Sequence, residues 1–380
     1  MLVVSPSLSA RDRKPPARLG SYEVGAKVGG GGMANVYVGR YTTHEGTEEL
    51  VALKVIRDEY GDDLRFVRMF SDEARILERI DHKHVIRTID YGIEREHRFI
   101  VMELLAGRTL GESLEILAQR NEPFPLVLGA WVCARIAEGL HAVHELTDAK
   151  GESLRIVHRD VNPTNIFLTH TGDVKLIDFG LAKARIGRYR TSGGMVKGKI
   201  PYLAPESLEM KPPERRVDIY ALGTTLWELG TMRRLFKRDN DLETLAAVKA
   251  SIVPDPRSIV GEYPDALARI VLRALQRSPD ERYPTADAFR ADLDAFIACD
   301  EKQMMRELGA LLSRLFPGES TKHATWLDES LAVPIQTVAP PPIPIPVASS
   351  NMLDADIEVG EAEIDLATLS IPRPEDPPAT

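Results

Sequence analysis

Between Val157 and Gly180 the chain places three polar side chains that together suit one reaction. Asp160 and Asn165 stand in His158-Arg159-Asp160-Val161-Asn162-Pro163-Thr164-Asn165, and Asp178 opens Asp178-Phe179-Gly180. Transfer of a phosphoryl group asks for a carboxylate that orients the attacking hydroxyl and for oxygen ligands that hold metal ions on the phosphates. Asp160 can take the first role, and Asn165 with Asp178 the second. Asp-Phe-Gly alone arises by chance; both strings in this order and spacing seldom do.

The elements that would position these groups come earlier. Tyr22 to Val28 alternates as a strand and runs into Gly29-Gly30-Gly31-Gly32-Met33-Ala34, followed by a second strand, Val36 to Val38. Glycines let main-chain N–H groups approach phosphates closely. A dinucleotide-binding turn would continue into a helix, with an acid about 20 residues on. Here a strand follows, and then Val51-Ala52-Leu53-Lys54. Arg65 to Ile80 has the spacing of an amphipathic helix, with Phe66, Met69, Ala74 and Leu77 as its apolar face. Glu73 lies on that face, and Glu78 on another.

In this order the strings resemble the protein kinase family over roughly Tyr22 to Ile297. The spacing is similar to bacterial serine/threonine kinases of the eukaryotic-like type, and the Asp160, Pro163, Asn165 frame looks like the serine/threonine branch. The resemblance implies an α+β, two-lobed fold, with a small β-rich N-lobe, a larger α-helical C-lobe and MgATP (Mn2+ as substitute metal) between them. It makes Asp160 the residue that orients the substrate hydroxyl, and Asn165 and Asp178 the metal ligands. It pairs Lys54 with Glu73 and sets Lys54 on the α- and β-phosphates. Val28, Gly29, Gly30, Gly31, Gly32, Met33 and Ala34 would cover the nucleotide, with Ala34 where the family has its third glycine. Val36 and Ala52 would sandwich the adenine and Met102 would stand behind it. The main chain at Glu103 and Leu105 would bond the purine edge.

Two residues depart from the family pattern. Asn162 stands where most serine/threonine members carry Lys, and Lys199, in Gly198-Lys199-Ile200-Pro201-Tyr202, stands where they carry Thr. The pair reads as an exchange: Lys199 reaches toward Asp160 and the γ-phosphate from the facing segment, while Asn162 remains at the nucleotide. The alternative is a pseudokinase-type scaffold that binds nucleotide and partners without turnover.

Asp178 to Glu206 has the extent of an activation segment and ends in Ala204-Pro205-Glu206. Arg159 could clamp a phosphate on Thr191 or Ser192, so activation by phosphorylation, including autophosphorylation in trans, is expected. Asp218 resembles the aspartate that ties down the catalytic loop, and Arg282 the arginine that pairs with Glu206. His158 is read as a core residue, His141 and His144 as structural or exposed.

Composition bounds the rest. The net charge is −9, and the stretch from Gly318 to Thr380 alone holds eleven acids and two bases, so the remainder is near neutral. No basic field points to nucleic acid. Cys133 and Cys299 stand apart as small buried hydrophobes, outside any disulfide or zinc pattern. Neither a membrane span nor a signal peptide is expected, which gives a cytoplasmic protein acting on protein substrates. The domains read as a flexible arm over 1–21, a kinase domain over 22–298 (N-lobe 22–104, C-lobe 105–298), a helix over 299–317 and an acidic, proline-rich, disordered tail over 318–380. Pro340-Pro341-Pro342 and the prolines after it could dock a partner.

Overall fold

The computed structural model describes residues 16–30, 34–43, 45–57, 74, 77–95, 97–148, 150–179, 199–209 and 214–319. All of them belong to one compact unit, Met1–Ile335.

The N-terminal part is a six-stranded antiparallel sheet in the order β1-β2-β3-β4-β6-β5. Its strands are β1 (Arg18–Leu19), β2 (Tyr22–Gly30), β3 (Ala34–Thr42), β4 (Glu48–Ile56), β5 (Thr88–Glu94) and β6 (His97–Glu103). Alternation sorts β4 between two apolar clusters. Val51, Leu53 and Val55 join Leu19, Tyr22, Tyr37 and Phe99 on one face, while Ala52 and Ile56 join Val28, Val36 and Met102 on the other. The sheet begins earlier than the sequence suggests. Arg18 and Leu19 pair with Glu23 and Tyr22, and Leu19 is fully buried, so the last residues of the expected arm belong to the fold. Of the helix expected over 65–80, only Ala74 and 77–80 are described; Ala74 and Leu77 are helical and buried.

A short strand, β7 (Gly107–Thr109), opens the C-terminal part and forms a second sheet with β8 (Ile166–Thr169) and β9 (Val174–Leu176). A Cβ on Gly107 would stand 1.9 Å from the Leu168 carbonyl oxygen, so only glycine lets β7 approach β8 this closely.

The helices are α1 (Leu110–Gln119), α2 (Leu126–His144), α3 (Arg216–Thr231), α4 (Asp241–Ala250), α5 (Asp265–Ala274), α6 (Ala286–Ile297) and α7 (Glu301–Leu315). Thr109 caps α1 by a reciprocal box with Glu112. Helix α2 is long and apolar enough to cross a membrane, but 72% of that stretch is buried, and it packs against α3 and α6 as the core helix of this part. Cys133 on α2 is buried as expected, whereas Cys299 is exposed because it sits in the short link between α6 and α7.

Helix α7 continues the same core. Met304, Leu308, Leu311, Leu312 and Leu315 pack into it, and Gly172 in the β8–β9 turn (φ 92°) leaves no room for a Cβ beside the Met305 carbonyl. Just beyond, Arg108 of β7 lies over the Phe316 ring at 5.0 Å and bonds Glu319 through Nε at 2.7 Å.

Candidate active site

Asp218 on α3 fixes the loop that carries the chemistry. Its Oδ2 accepts the His158 N–H at 2.8 Å and its Oδ1 the Arg159 N–H at 2.8 Å. His144 of α2 donates Nε2–H to Oδ2 at 2.8 Å, which gives this histidine a defined partner. Burial works to raise the Asp218 carboxyl, yet these bonds and the neighbouring imidazoles outweigh it and hold the group below the usual range. The His158 ring is fully buried and lies 4.5 Å from the Phe179 ring, so one contact joins the loop to the Asp178 segment. Arg159 and Asp178 both take left-handed backbone, at φ 63° and 56°.

Asp160 is the centre of the constellation. Asn165 donates Nδ2–H to Asp160 Oδ2 and to its main-chain oxygen, both at 2.8 Å. Asn162 donates to the Asp160 carbonyl at 2.7 Å and to Oδ1 at 3.3 Å, and its own Oδ1 accepts the Thr164 N–H at 3.0 Å. Both ends of the Asn162 amide are thus engaged inside the loop. Lys199 Nζ makes an ion pair with Asp160 Oδ2.

On the nucleotide side, Gly29 and Gly30 pair with Val36 and Asn35 across the β2–β3 hairpin, and Ala34 starts β3; Gly31, Gly32 and Met33 lie outside the described residues. Lys54 on β4 stands between Val36 and Ile100 in register, and its Nζ reaches Asp178 Oδ1 at 2.7 Å. Glu73 lies outside the described residues, as do Thr191 and Ser192.

Val28, Val36, Ala52 and Met102 form one apolar cluster with Phe167 and Ile177, and Leu105 packs against it. Phe167 was not singled out from the sequence. The period-2 signal was present: Ile166 and Leu168 enter the C-terminal core, so Phe167 between them must face the other way. At the link between sheets, the Glu103 N–H bonds the Arg87 carbonyl at 3.0 Å, so any bond from Glu103 to a base has to be accepted by its carbonyl.

The donor set also suits a hard divalent ion. Asn165 uses its Nδ2 for Asp160, which leaves its Oδ1 to face an ion, and the Asp178 side chain is 41% exposed beside it. Two oxygen ligands completed by substrate phosphates are what Mg2+ takes, and among the described residues no cluster of three or more His, Cys, Asp or Glu offers an alternative site.

Farther out, Arg282 grips both Glu206 oxygens at 2.6 and 2.8 Å, and its guanidinium lies 4.6 Å from the Tyr220 ring. This pair joins the end of the segment after the site to α3.

Residues 22–292 match the family model described as protein kinase domain. The tyrosine-protein kinase MasK of Myxococcus xanthus is 37% identical over 279 residues, which is 73% of this chain and 43% of that protein. The serine/threonine-protein kinase PknL of Mycobacterium tuberculosis is 35% identical over 286 residues, covering 75% of this chain and 68% of PknL. Serine/threonine-protein kinase PrkC of Bacillus subtilis is 31% identical over 281 residues, 74% of this chain and 41% of PrkC. The chain therefore spans less than half the length of two of these three relatives. Among solved structures, the PknI kinase domain of Mycobacterium tuberculosis superposes with a TM-score of 0.54 at 23% identity, over 72% of this chain and 96% of that one, which speaks to the fold.

Proposed function

The chain belongs to the protein kinase family, and from that premise we propose that it transfers the γ-phosphoryl group of ATP to serine or threonine hydroxyls of protein substrates. The observation that carries the reading is that Asp160, held by Asn165, and Asp178, held by Lys54, are joined across separate stretches by the Asn165 amide, which also reaches the Asp178 carbonyl at 3.4 Å. The substrate hydroxyl oxygen bonds to the γ-phosphorus as the bond from that phosphorus to the β,γ-bridging oxygen breaks. ADP leaves with the electron pair, and Asp160 accepts the hydroxyl proton. Lys54 orients the phosphates, Asn165 and Asp178 would hold Mg2+, and the cluster of Val28, Val36, Ala52, Met102 and Phe167 packs the adenine away from water. Bound there, Mg2+ would supply charge neutralisation on the β- and γ-oxygens.

The serine/threonine preference rests on the Asp160, Pro163, Asn165 frame and on the names of PknL and PrkC, while MasK is named for tyrosine. Phosphorylation of Thr191 or Ser192, with Arg159 as the clamp, would activate the enzyme; full activity of T191A with no phosphate in that segment argues against it. A kinase domain whose lobes meet at 104/105 and whose core extends from the expected 22–298 through α7, a cytoplasmic location and docking through the proline-rich 318–380 stretch complete the proposal.

The test is transfer of labelled γ-phosphate by the full chain with Mg2+ and ATP, against a D160N control, with acceptors identified by mass spectrometry. Label on Ser or Thr that vanishes in the control is expected. Label on Tyr alone would move the acceptor class, and no transfer despite nucleotide binding would leave a scaffold.

A further inference from the structure

The reaction centre has a cation beside its base, and the catalytic loop does not supply it. Asn162, two residues past Asp160, is neutral and has both ends of its amide inside the loop. The ammonium at Asp160 belongs to Lys199, from the facing segment, and its side chain is 25% exposed against 6% for Asp160, so it meets the carboxylate from the solvent side.

What holds that lysine in place is also visible. Lys199 immediately precedes a 3-10 turn, Ile200–Tyr202, whose three side chains are buried. The Tyr202 hydroxyl donates to Glu228 Oε2 at 2.8 Å. Glu228 is buried on α3, accepts the Leu235 N–H at 3.1 Å through Oε1, and meets Arg234 at 3.2 Å. Arg234 in turn lies 5.4 Å from the Tyr202 ring. One helix therefore fixes both partners: Asp218 of α3 holds the loop of Asp160, and Glu228, ten residues along α3, holds the turn of Lys199.

We propose that Lys199 is the catalytic cation of the transfer step, standing in for a charge that the loop lacks, and that Tyr202 and Glu228 are its positioning residues. The proposal rests on the kinase reading above. As the hydroxyl proton passes to Asp160, the Asp160 carboxylate gives up its hold on the ammonium. The four-carbon stem then lets the ammonium turn to the phosphoryl oxygens, where negative charge is concentrated in the transition state. A cation delivered from this segment makes turnover depend on the seating of the 3-10 turn as well as on the loop.

The experiment compares steady-state kinetics and unfolding temperature for the full chain, D160N, K199A, K199A/N162K and Y202F. K199A is expected to lose about 100-fold in kcat with little change in the KM for ATP. Adding N162K, which returns a cation from the loop side, should restore at least about tenfold of that loss. Y202F should lower kcat without raising the KM for ATP or abolishing cooperative unfolding. An active parent with K199A within about threefold of it, or faster, overturns this proposal alone. So does a folded K199A/N162K that recovers nothing. A parent indistinguishable from D160N overturns the kinase reading and this proposal with it.

Discussion

Lys54 Nζ lies 2.7 Å from Asp178 Oδ1, bridging 124 residues of sequence and joining the six-stranded sheet to the segment after β9. The lysine is mostly buried and the carboxylate half open, so the pair presents one positive and one negative group at the edge of the cleft. Lys54→Met should therefore lower kcat/KM by about 100-fold or more, equivalent to about 2.7 kcal/mol of transition-state stabilisation. Labelled-phosphate kinetics check it; a loss of only a few-fold would remove Lys54 from the reaction.

Arg282 is fully buried and bonds the Gln276 carbonyl at 2.7 Å as well as Glu206. Arg282→Ala leaves a partly buried carboxylate without its partner and opens a gap under Tyr220. A loss of about 3 kcal/mol of stability is expected, since removing one member of a buried pair typically has that scale. Urea unfolding reads it, and a shift under about 1 kcal/mol would show that the pair is dispensable.

His84 gives a pH signature. Burial, opposed by its bond to the Val174 carbonyl and by Glu138, lowers its pKa to about 4, with Lys83 and Arg135 acting in the same direction as burial. The folded chain thus keeps this imidazole neutral at pH values where the unfolded chain protonates it. Because the unfolded state binds more protons, stability falls as pH drops from about 6.5 toward 4, by on the order of 2 kcal/mol from this group. Denaturation midpoints across that range should fall less steeply in His84→Gln; equal slopes would assign the acid sensitivity elsewhere.

Helix α7 lies beyond residue 292, where the family match ends, but within the same core. Truncation after residue 298 would expose the surface that receives its five buried apolar side chains, each worth about 1.5–3 kcal/mol before chain entropy is subtracted. The shortened protein should melt many degrees lower or fail to fold. Truncation after residue 319, which keeps the Arg108 contact, should leave the unfolding free energy within about 1 kcal/mol of the parent. Equal stability of both would make α7 an ornament of the surface.

Much of this was legible in the chain because short strings impose definite chemistry. Asp160, Asn165 and Asp218 are buried polar groups that need partners, and the strings they share with the kinase family, together with Asp178, let their roles be named from the resemblance. Other features carried too little local signal. The two-residue β1 is too short to show a period, and its burial comes from Tyr22, its cross-strand partner, and from Tyr37 and Phe99 farther along the chain. Likewise β7 leaves no trace in the sequence, because a strand of three residues, one of them glycine, is indistinguishable from a loop until β8 lies beside it. His144 gave no sign of its role, since its partner Asp218 is 74 residues away. For Phe167 the alternation of a strand was legible and sets it opposite Ile166 and Leu168, but which face of β8 lines the site is decided by the fold.

The left-handed backbone at Arg159 has a consequence for how this site tolerates change. A non-glycine residue held at φ 63° carries strain of about 1 kcal/mol, and here the two Asp218 bonds to consecutive N–H groups keep the loop in that shape. Glycine would suit this conformation better, so Arg159→Gly could yield a protein that unfolds later while losing its guanidinium. If the Arg159 guanidinium clamps a phosphate as proposed, robustness and function pull against each other at this position, and selection for heat resistance alone would drift away from the clamp.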